Sequence, residues 1–241
     1  MDSSHESRIT NHGFFVTGTD TGVGKTVIAC ALLHALVAAG LKAAGMKPVA
    51  AGAEPGARGL VHDDVEQLEA ASNVAGPREI VNPYCFRAAI APHIAAEREG
   101  VVIDLARIEL SFRALARLAD CVVVEGVGGF RVPLGPGTDT AQLAGTLGLP
   151  VVLVVGMRLG CLNHALLTAD AIAAQGLVLA GWVANHIDPD MAAADENVDA
   201  LEARLPAPLI GRVPFMPAPD FAAIGRSFDD AVRQWRARVS R

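Results

Sequence analysis

The chain has 241 residues, of which 51% are hydrophobic, 19% charged and only 5% aromatic, and its formal net charge is −6. That is enough for one large domain, too apolar and too weakly charged for a disordered chain, and without the basic surplus of a nucleic-acid binder. Its longest apolar runs, Val27–Leu41 (interrupted by His34) and the eleven residues Leu147–Met157, fall short of the ~20 residues a bilayer demands, so neither a membrane nor a nucleic acid is expected as a partner.

Residues 1–12 are polar, have no apolar signal core, and read as a disordered tail ahead of a single domain over 13–241. Gly13–Thr17 (GFFVT) reads as a buried strand. The loop Gly18-Thr19-Asp20-Thr21-Gly22-Val23-Gly24-Lys25-Thr26 follows, and then a helix from Lys25 to about Ala39, ended by Gly40. Glycines at a strand-to-helix turn let successive N–H groups converge on one anion, and the helix N-terminus adds positive potential. In such a loop Lys25 reaches the outer phosphates of a nucleotide and the Thr26 hydroxyl binds Mg²⁺. The usual spacing would place a glycine at Thr19; here Gly18 comes one residue early.

Ala43–Val49 reads as a second strand, residues 52–62 as a loop, and Asp64–Ser72 as a short helix. Asp63-Asp64 at its start suits a helix N-cap as well as a metal ligand. An amphipathic helix over Asp104–Ala119 leads into the buried strand Cys121–Val124, which runs out through Glu125 into the glycine turn Gly126-Val127-Gly128-Gly129. A carboxylate at a strand end beside a phosphate loop completes a Mg²⁺ shell of hard oxygens, and the glycines behind it admit close backbone approach. Further strands are expected at Val151–Val155, Leu179–Ala184 and Leu209–Val213, with helices at Thr140–Leu147, Leu162–Gln175 and Asp195–Arg204 and a loop at 186–194. Apolar strands alternating with helices specify an α/β fold, a mostly parallel sheet with helices on both faces, whose ligands bind beyond the carboxyl ends of the strands. The cysteines Cys30, Cys85, Cys121 and Cys161 are dispersed and contain no CxxC, so neither zinc nor a disulfide framework is expected, which places the chain in a reducing, cytoplasmic compartment.

Of the 20 basic residues only Lys25, Lys42 and Lys47 are lysines. In a chain that otherwise uses arginine, Lys25 and Lys47 suggest sites where a compact ammonium must fit among phosphate or carbamate oxygens.

Taken in order, VTGTDTGVGKT (Val16–Thr26), GMKPVAAG (Gly45–Gly52), NPY (Asn82–Tyr84), APHIAA (Ala91–Ala96), VVVEGVGG (Val122–Gly129), LPVVLVVGMRLGCLNHALLT (Leu149–Thr168), LAGWVANH (Leu179–His186) and PAPLIGRVPFM (Pro206–Met216) resemble the dethiobiotin synthetases over nearly the whole chain. The early loop glycine is the form that family uses. The resemblance implies a P-loop NTPase-like fold and an ATP- and Mg²⁺-dependent cyclo-ligase of biotin biosynthesis. Such an enzyme converts 7,8-diaminononanoate and CO₂ to a carbamate, phosphorylates it, and closes a ureido ring with release of ADP and phosphate.

By the same resemblance Lys47 and Lys25 are catalytic, and Thr26, Asp64 and Glu125 hold Mg²⁺. Gly22 to Val27, Asp64, Glu125 and Gly126 to Gly128 surround the nucleotide, with Asn185, His186, Pro214, Phe215 and Met216 at the base. Thr21, Lys47 and the helix start Gly160-Cys161-Leu162-Asn163 bind substrate, the last across a homodimer interface through free backbone N–H groups. Two departures are His186, where the family often has an acidic residue, and Ala51, where it often has a hydroxyl. The alternative reading is a nucleotide-dependent switch or targeting ATPase of the deviant P-loop group, which carries a second lysine early in the loop where this chain has Asp20.

Overall fold

A computed structural model describes residues 13–57 and 59–239; the tail expected over 1–12 lies outside the described residues. Apolar runs of four to eight residues form the strands of the main sheet, and the segments between them form helices. In chain order the first half comprises β1 (Gly13–Gly18), α1 (Lys25–Ala38), β2 (Ala43–Met46), β3 (Val49–Ala51), β4 (Glu54–Gly56), β5 (Gly59–Val61), α2 (Asp63–Ala71), α3 (Arg78–Val81), β6 (Tyr84–Phe86), α4 (Pro92–Arg98) and α5 (Leu105–Ala116). The second half comprises β7 (Cys121–Glu125), β8 (Pro133–Gly135), β9 (Thr138–Asp139), α6 (Thr140–Leu147), β10 (Val151–Met157), α7 (Cys161–Ala174), β11 (Leu179–His186), α8 (Ala194–Glu202), β12 (Leu209–Val213), α9 (Phe221–Arg226) and α10 (Asp229–Val239).

Six strands form one sheet in the order β12-β11-β10-β1-β7-β2, and every neighbouring pair is parallel. Alternate residues of each strand enter different cores. Phe14, Val16, Cys121, Val123, Val152 and Val154 pack with α1, α9 and α10, whereas Phe15, Val122, Val124 and Val151 pack with α5 and α6. Leu153, Val155, Trp182 and Ala184 form a third cluster with α7 and α8. A strand buried on both faces shows no period-two polarity, which is why these strands read as continuous apolar runs.

The structure corrects two expectations. The strand expected over Ala43–Val49 breaks at Lys47-Pro48. Proline has no N–H for the ladder, Lys47 N–H turns to the carbonyl of Val81 at 2.9 Å, and Val49–Ala51 pairs instead with Tyr84–Phe86 in a separate two-stranded sheet. The loop expected over 52–62 contains an antiparallel hairpin, β4 with β5.

The outer edge of β2 is closed by side chains: Gly45 N–H donates to Ser72 Oγ at 2.8 Å and Ala43 N–H to Asn73 Oδ1 at 2.7 Å. In the cluster that also takes Leu68 and Ala71 of α2, α9 lies so close to α1 that a Cβ on Gly225 would fall 2.6 Å from the Ala31 carbonyl oxygen.

Candidate active site

The parallel sheet brings six strand ends to one edge, and nearly every residue singled out above sits on it. The phosphate loop leaves β1 at the centre. Gly24 caps α1 in the left-handed region at φ 86°, where a Cβ would fall 2.2 Å from Asn185 Nδ2; glycine is required there by both conformation and space. Lys25, next in the chain, is 7% exposed, and its Nζ donates to the Asp20 carbonyl at 2.9 Å. Burial first, and the nearby Lys47 charge second, push its pKa from 10.5 down to about 8, against the opposing pull of Glu125 and Asp64.

On the β7–β2 side three elements converge. Glu125 ends β7 at 1% exposure, Lys47 follows β2 at 3%, and Asp64 lies in the first turn of α2. Lys47 Nζ is 2.5 Å from Glu125 Oε1, 2.8 Å from Asp64 Oδ2 and 3.4 Å from the Gly126 carbonyl. The Thr26 hydroxyl donates to the same Glu125 Oε1 at 2.9 Å. Burial alone would lower the Lys47 pKa, but the charges of Glu125 and Asp64 more than reverse it and hold the ammonium protonated. Asp64 is held below the usual carboxylate range because Lys47 outweighs its own desolvation. Glu125 Oε2 is buried and has no hydrogen-bond partner among the described residues. Two carboxylates, one of them with an unpartnered buried oxygen, and the Thr26 hydroxyl form a hard-oxygen donor set that fits Mg²⁺.

On the β11–β12 side, Gly24, Val27, Asn185, His186, Ile187, Val213, Pro214, Phe215, Met216 and Pro219 line a cavity of about 230 Å³. The structure thus brings together all five residues expected at a base. Asn185 Nδ2 donates to the Val23 carbonyl at 2.8 Å, so its amide is committed to the phosphate loop and its Oδ1 remains as an acceptor. Between the two sides, β10 delivers Gly160 to Asn163 at the start of α7. Gly160 caps that helix with φ 96° and no side-chain bond, and Cys161 is buried; the Cys161 N–H is taken by the Arg158 carbonyl at 3.0 Å, so the backbone donors the helix start offers a ligand are those of Leu162 and Asn163. Thr21 is exposed on the phosphate loop, and its own N–H is taken by Asp20 Oδ1 at 2.7 Å.

Sequence reasoning missed four supporting residues. His62 caps α2 by accepting the Asp64 N–H at Nδ1, 3.2 Å, while its Nε2 lies 3.2 Å from the Ala51 carbonyl, so neither Asp63 nor Asp64 is the cap. Asn82 Nδ2 donates to the carbonyls of Lys47 and Tyr84 at 2.6 and 3.0 Å, fixing the backbone that carries the lysine; the NPY run was its only signal. Arg158, after β10, pairs with Asp20 Oδ2 at 2.5 Å and ties the phosphate loop to the segment leading into α7. In the sequence Asp20 stands out only as a departure from the switch ATPases, and nothing in sequence separation points to a partner so far along the chain.

Comparison with known proteins follows the same lines. A family model described as an AAA domain matches residues 12–222. The ATP-dependent dethiobiotin synthetase of Aromatoleum aromaticum is 58% identical over 89% of this chain and 95% of its own length. The enzyme of that name from a Janthinobacterium species is 57% identical over 89% and 93%. Among solved structures, the MinD cell division protein of Aquifex aeolicus covers 94% of this chain and 97% of its own with a TM-score of 0.55 at 17% identity. A ParA family ATPase from Chlorobium tepidum covers 95% and 99% with 0.54 at 13%. At those identities the likeness concerns the fold alone.

Proposed function

The chain belongs to the ATP-dependent dethiobiotin synthetase family, and on that premise we propose how its residues divide the work. The enzyme is an ATP-dependent ligase that closes the ureido ring of dethiobiotin. One amine of 7,8-diaminononanoate takes up CO₂ and loses a proton to give a carbamate. A carbamate oxygen then attacks the γ-phosphorus of ATP, ADP leaves, and the second amine attacks the carbamoyl carbon of the mixed anhydride to expel phosphate. The substrate supplies its own nucleophile, so the protein's work is to position the reactants and stabilise charge.

In the arrangement we propose, the nucleotide lies along the strand ends. Its base enters the cavity at β11 and β12, its phosphates rest on Gly22 to Val27, and the transferring phosphoryl group faces β7 and β2. Asn185 Oδ1 accepts from the exocyclic amine of adenine, and Pro214 to Met216 cover the ring beside His186. Lys25 leaves the Asp20 carbonyl for the outer phosphates. Lys47 meets carbamate and phosphoryl oxygens, where a cation in a water-poor site lowers the barrier between two anions. Thr26, Asp64 and Glu125 hold Mg²⁺, which when bound neutralises phosphate charge, and Gly126 to Gly128 let the backbone approach the phosphates. Gly160 to Asn163 bind the substrate carboxylate from a partner subunit of a homodimer, with Thr21 near the amines. No described helix is long and apolar enough to cross a membrane, and we place the enzyme in the cytoplasm.

The observation that carries this reading is the buried Lys47 ammonium held by Glu125 and Asp64 beside the phosphate loop. A switch ATPase, whose acceptor is water, has no anionic co-substrate to hold there. Phosphate release from Mg-ATP that requires both diaminononanoate and bicarbonate is the expected result; slow release indifferent to both would contradict it.

A further inference from the structure

We infer that Lys47 and the divalent cation exchange places: the ammonium is the standing partner of Glu125 and Asp64, and its displacement by the metal delivers it to the reacting oxygens. The inference rests on the metal and lysine roles proposed above. The two cations compete for the same atoms. Lys47 Nζ engages Glu125 Oε1 and Asp64 Oδ2, one oxygen from each carboxylate of the metal set, and Thr26 Oγ1 already shares Glu125 Oε1. A Mg²⁺ ion needs near-octahedral oxygen ligation, and an ammonium bonded to the same oxygens would face it at close range where little water screens the repulsion.

Of the two sides of this contact, the lysine is the one able to move. Glu125 closes a fully buried strand, and Asp64 sits in a helix turn capped by His62. The Lys47 backbone is pinned at both ends, by the Val81 carbonyl and by Asn82 Nδ2, so movement is confined to its four-carbon stem, which has the rotational freedom for it. Glu125 Oε2, buried and unpartnered, offers the metal a first ligand before the ammonium has left. The exchange keeps the two carboxylates neutralised at every stage, and it withholds Lys47 from the carbamate until the metal has arrived, so phosphoryl transfer waits on the nucleotide's own cation.

The test is nucleotide-free binding of Mn²⁺, read by the electron paramagnetic resonance of the free ion, in the wild-type chain and in Lys47→Met. The variant is expected to bind Mn²⁺ about tenfold more tightly or better, and to gain thermal stability from Mn²⁺ alone that the wild type does not gain. Lys47→Gln, which keeps a hydrogen-bonding amide for the carboxylates, serves if Lys47→Met does not fold. Adding Asp64→Asn to either variant should abolish the gain. Equal or weaker Mn²⁺ binding by the variants, or a gain that survives Asp64→Asn, would overturn the exchange. The phosphate-release assay stands apart from this titration, so a failure of the proposed reaction and a failure of the exchange give different results.

Discussion

Replacing Lys25 by methionine should abolish nucleotide binding and yet stabilise the nucleotide-free protein. A lysine whose pKa drops from 10.5 to about 8 in the folded chain carries a cost for its charge of about 3 kcal/mol at neutral pH, at 1.36 kcal/mol for each pH unit. Lys25→Met removes that cost, keeps an unbranched side chain of similar length, and gives up the bond from its ammonium to the partly exposed Asp20 carbonyl, worth about 1.5 kcal/mol at the lower end for a charged donor. The balance of about 1.5 kcal/mol corresponds to a rise in melting temperature of roughly 3–6 °C for a chain of this size. The pH dependence carries a second signature. Folded Lys25 releases its proton near pH 8 and unfolded lysine near 10.5, so between those values the unfolded chain binds more protons and rising pH stabilises the wild type. The variant lacks that increment, and its advantage should shrink steadily from pH 8 to pH 10. Calorimetric melts at pH 7 and pH 10, with Mg-ATP binding measured alongside, would decide it. A variant that melts at or below the wild type at pH 7, or whose advantage does not change with pH, would refute the reasoning.

Three further outcomes are expected. Lys47→Gln should bind Mg-ATP at least as tightly as the wild type, since a competitor for the metal's carboxylates is gone, while lowering the rate of phosphate release by about 10²–10³, the usual cost of removing one charge-stabilising group; turnover near wild type would contradict the role of the lysine. Asn185→Ala, which loses both the bond to Val23 and the acceptor facing the cavity, should raise KM for ATP about tenfold with kcat little changed, as initial rates against ATP concentration will show. Because phosphate must find Lys25 protonated, the Mg-ATP affinity should fall above pH 8 by up to tenfold per pH unit, with proton uptake on binding visible by calorimetry in buffers of different ionisation enthalpy.

The main sheet was legible in the sequence because its strands, the half-exposed edge strand β12 apart, are buried on both faces, and a run such as Cys121–Val124 has few other uses. What the sequence hid were changes of direction inside apolar stretches. Met46-Lys47-Pro48-Val49 looks continuous, yet the proline ends the ladder, and the turn it makes carries Lys47 from the β2 edge into contact with β7 and α2. The phosphate loop and Glu125 are local patterns and could be read as such. The four-way contact of Lys47, Asp64, Glu125 and Thr26 joins residues up to 99 positions apart, and no spacing rule encodes it. The same holds for Arg158, which reaches Asp20 across 138 positions. The helices α9 and α10 have weak local signals: α9 is only six residues long and its packing depends on one small residue, Gly225, against α1, while polar residues dominate α10.

The side chains that close the β2 edge bear on how this chain behaves at high concentration. A parallel sheet that ends in a bare strand offers a row of free donors and acceptors to any other extended chain, the usual opening for aggregation. Here Ser72 and Asn73 occupy two of those donors, and a helix cannot be peeled from that edge without breaking both bonds. Substitution of both by alanine would leave the catalytic end of the sheet and the Asn73 and Val74 backbone bonds to the Ala43 carbonyl in place, yet it would free two donors of the border for intermolecular strand addition, a loss of solubility that no activity assay on dilute enzyme would reveal.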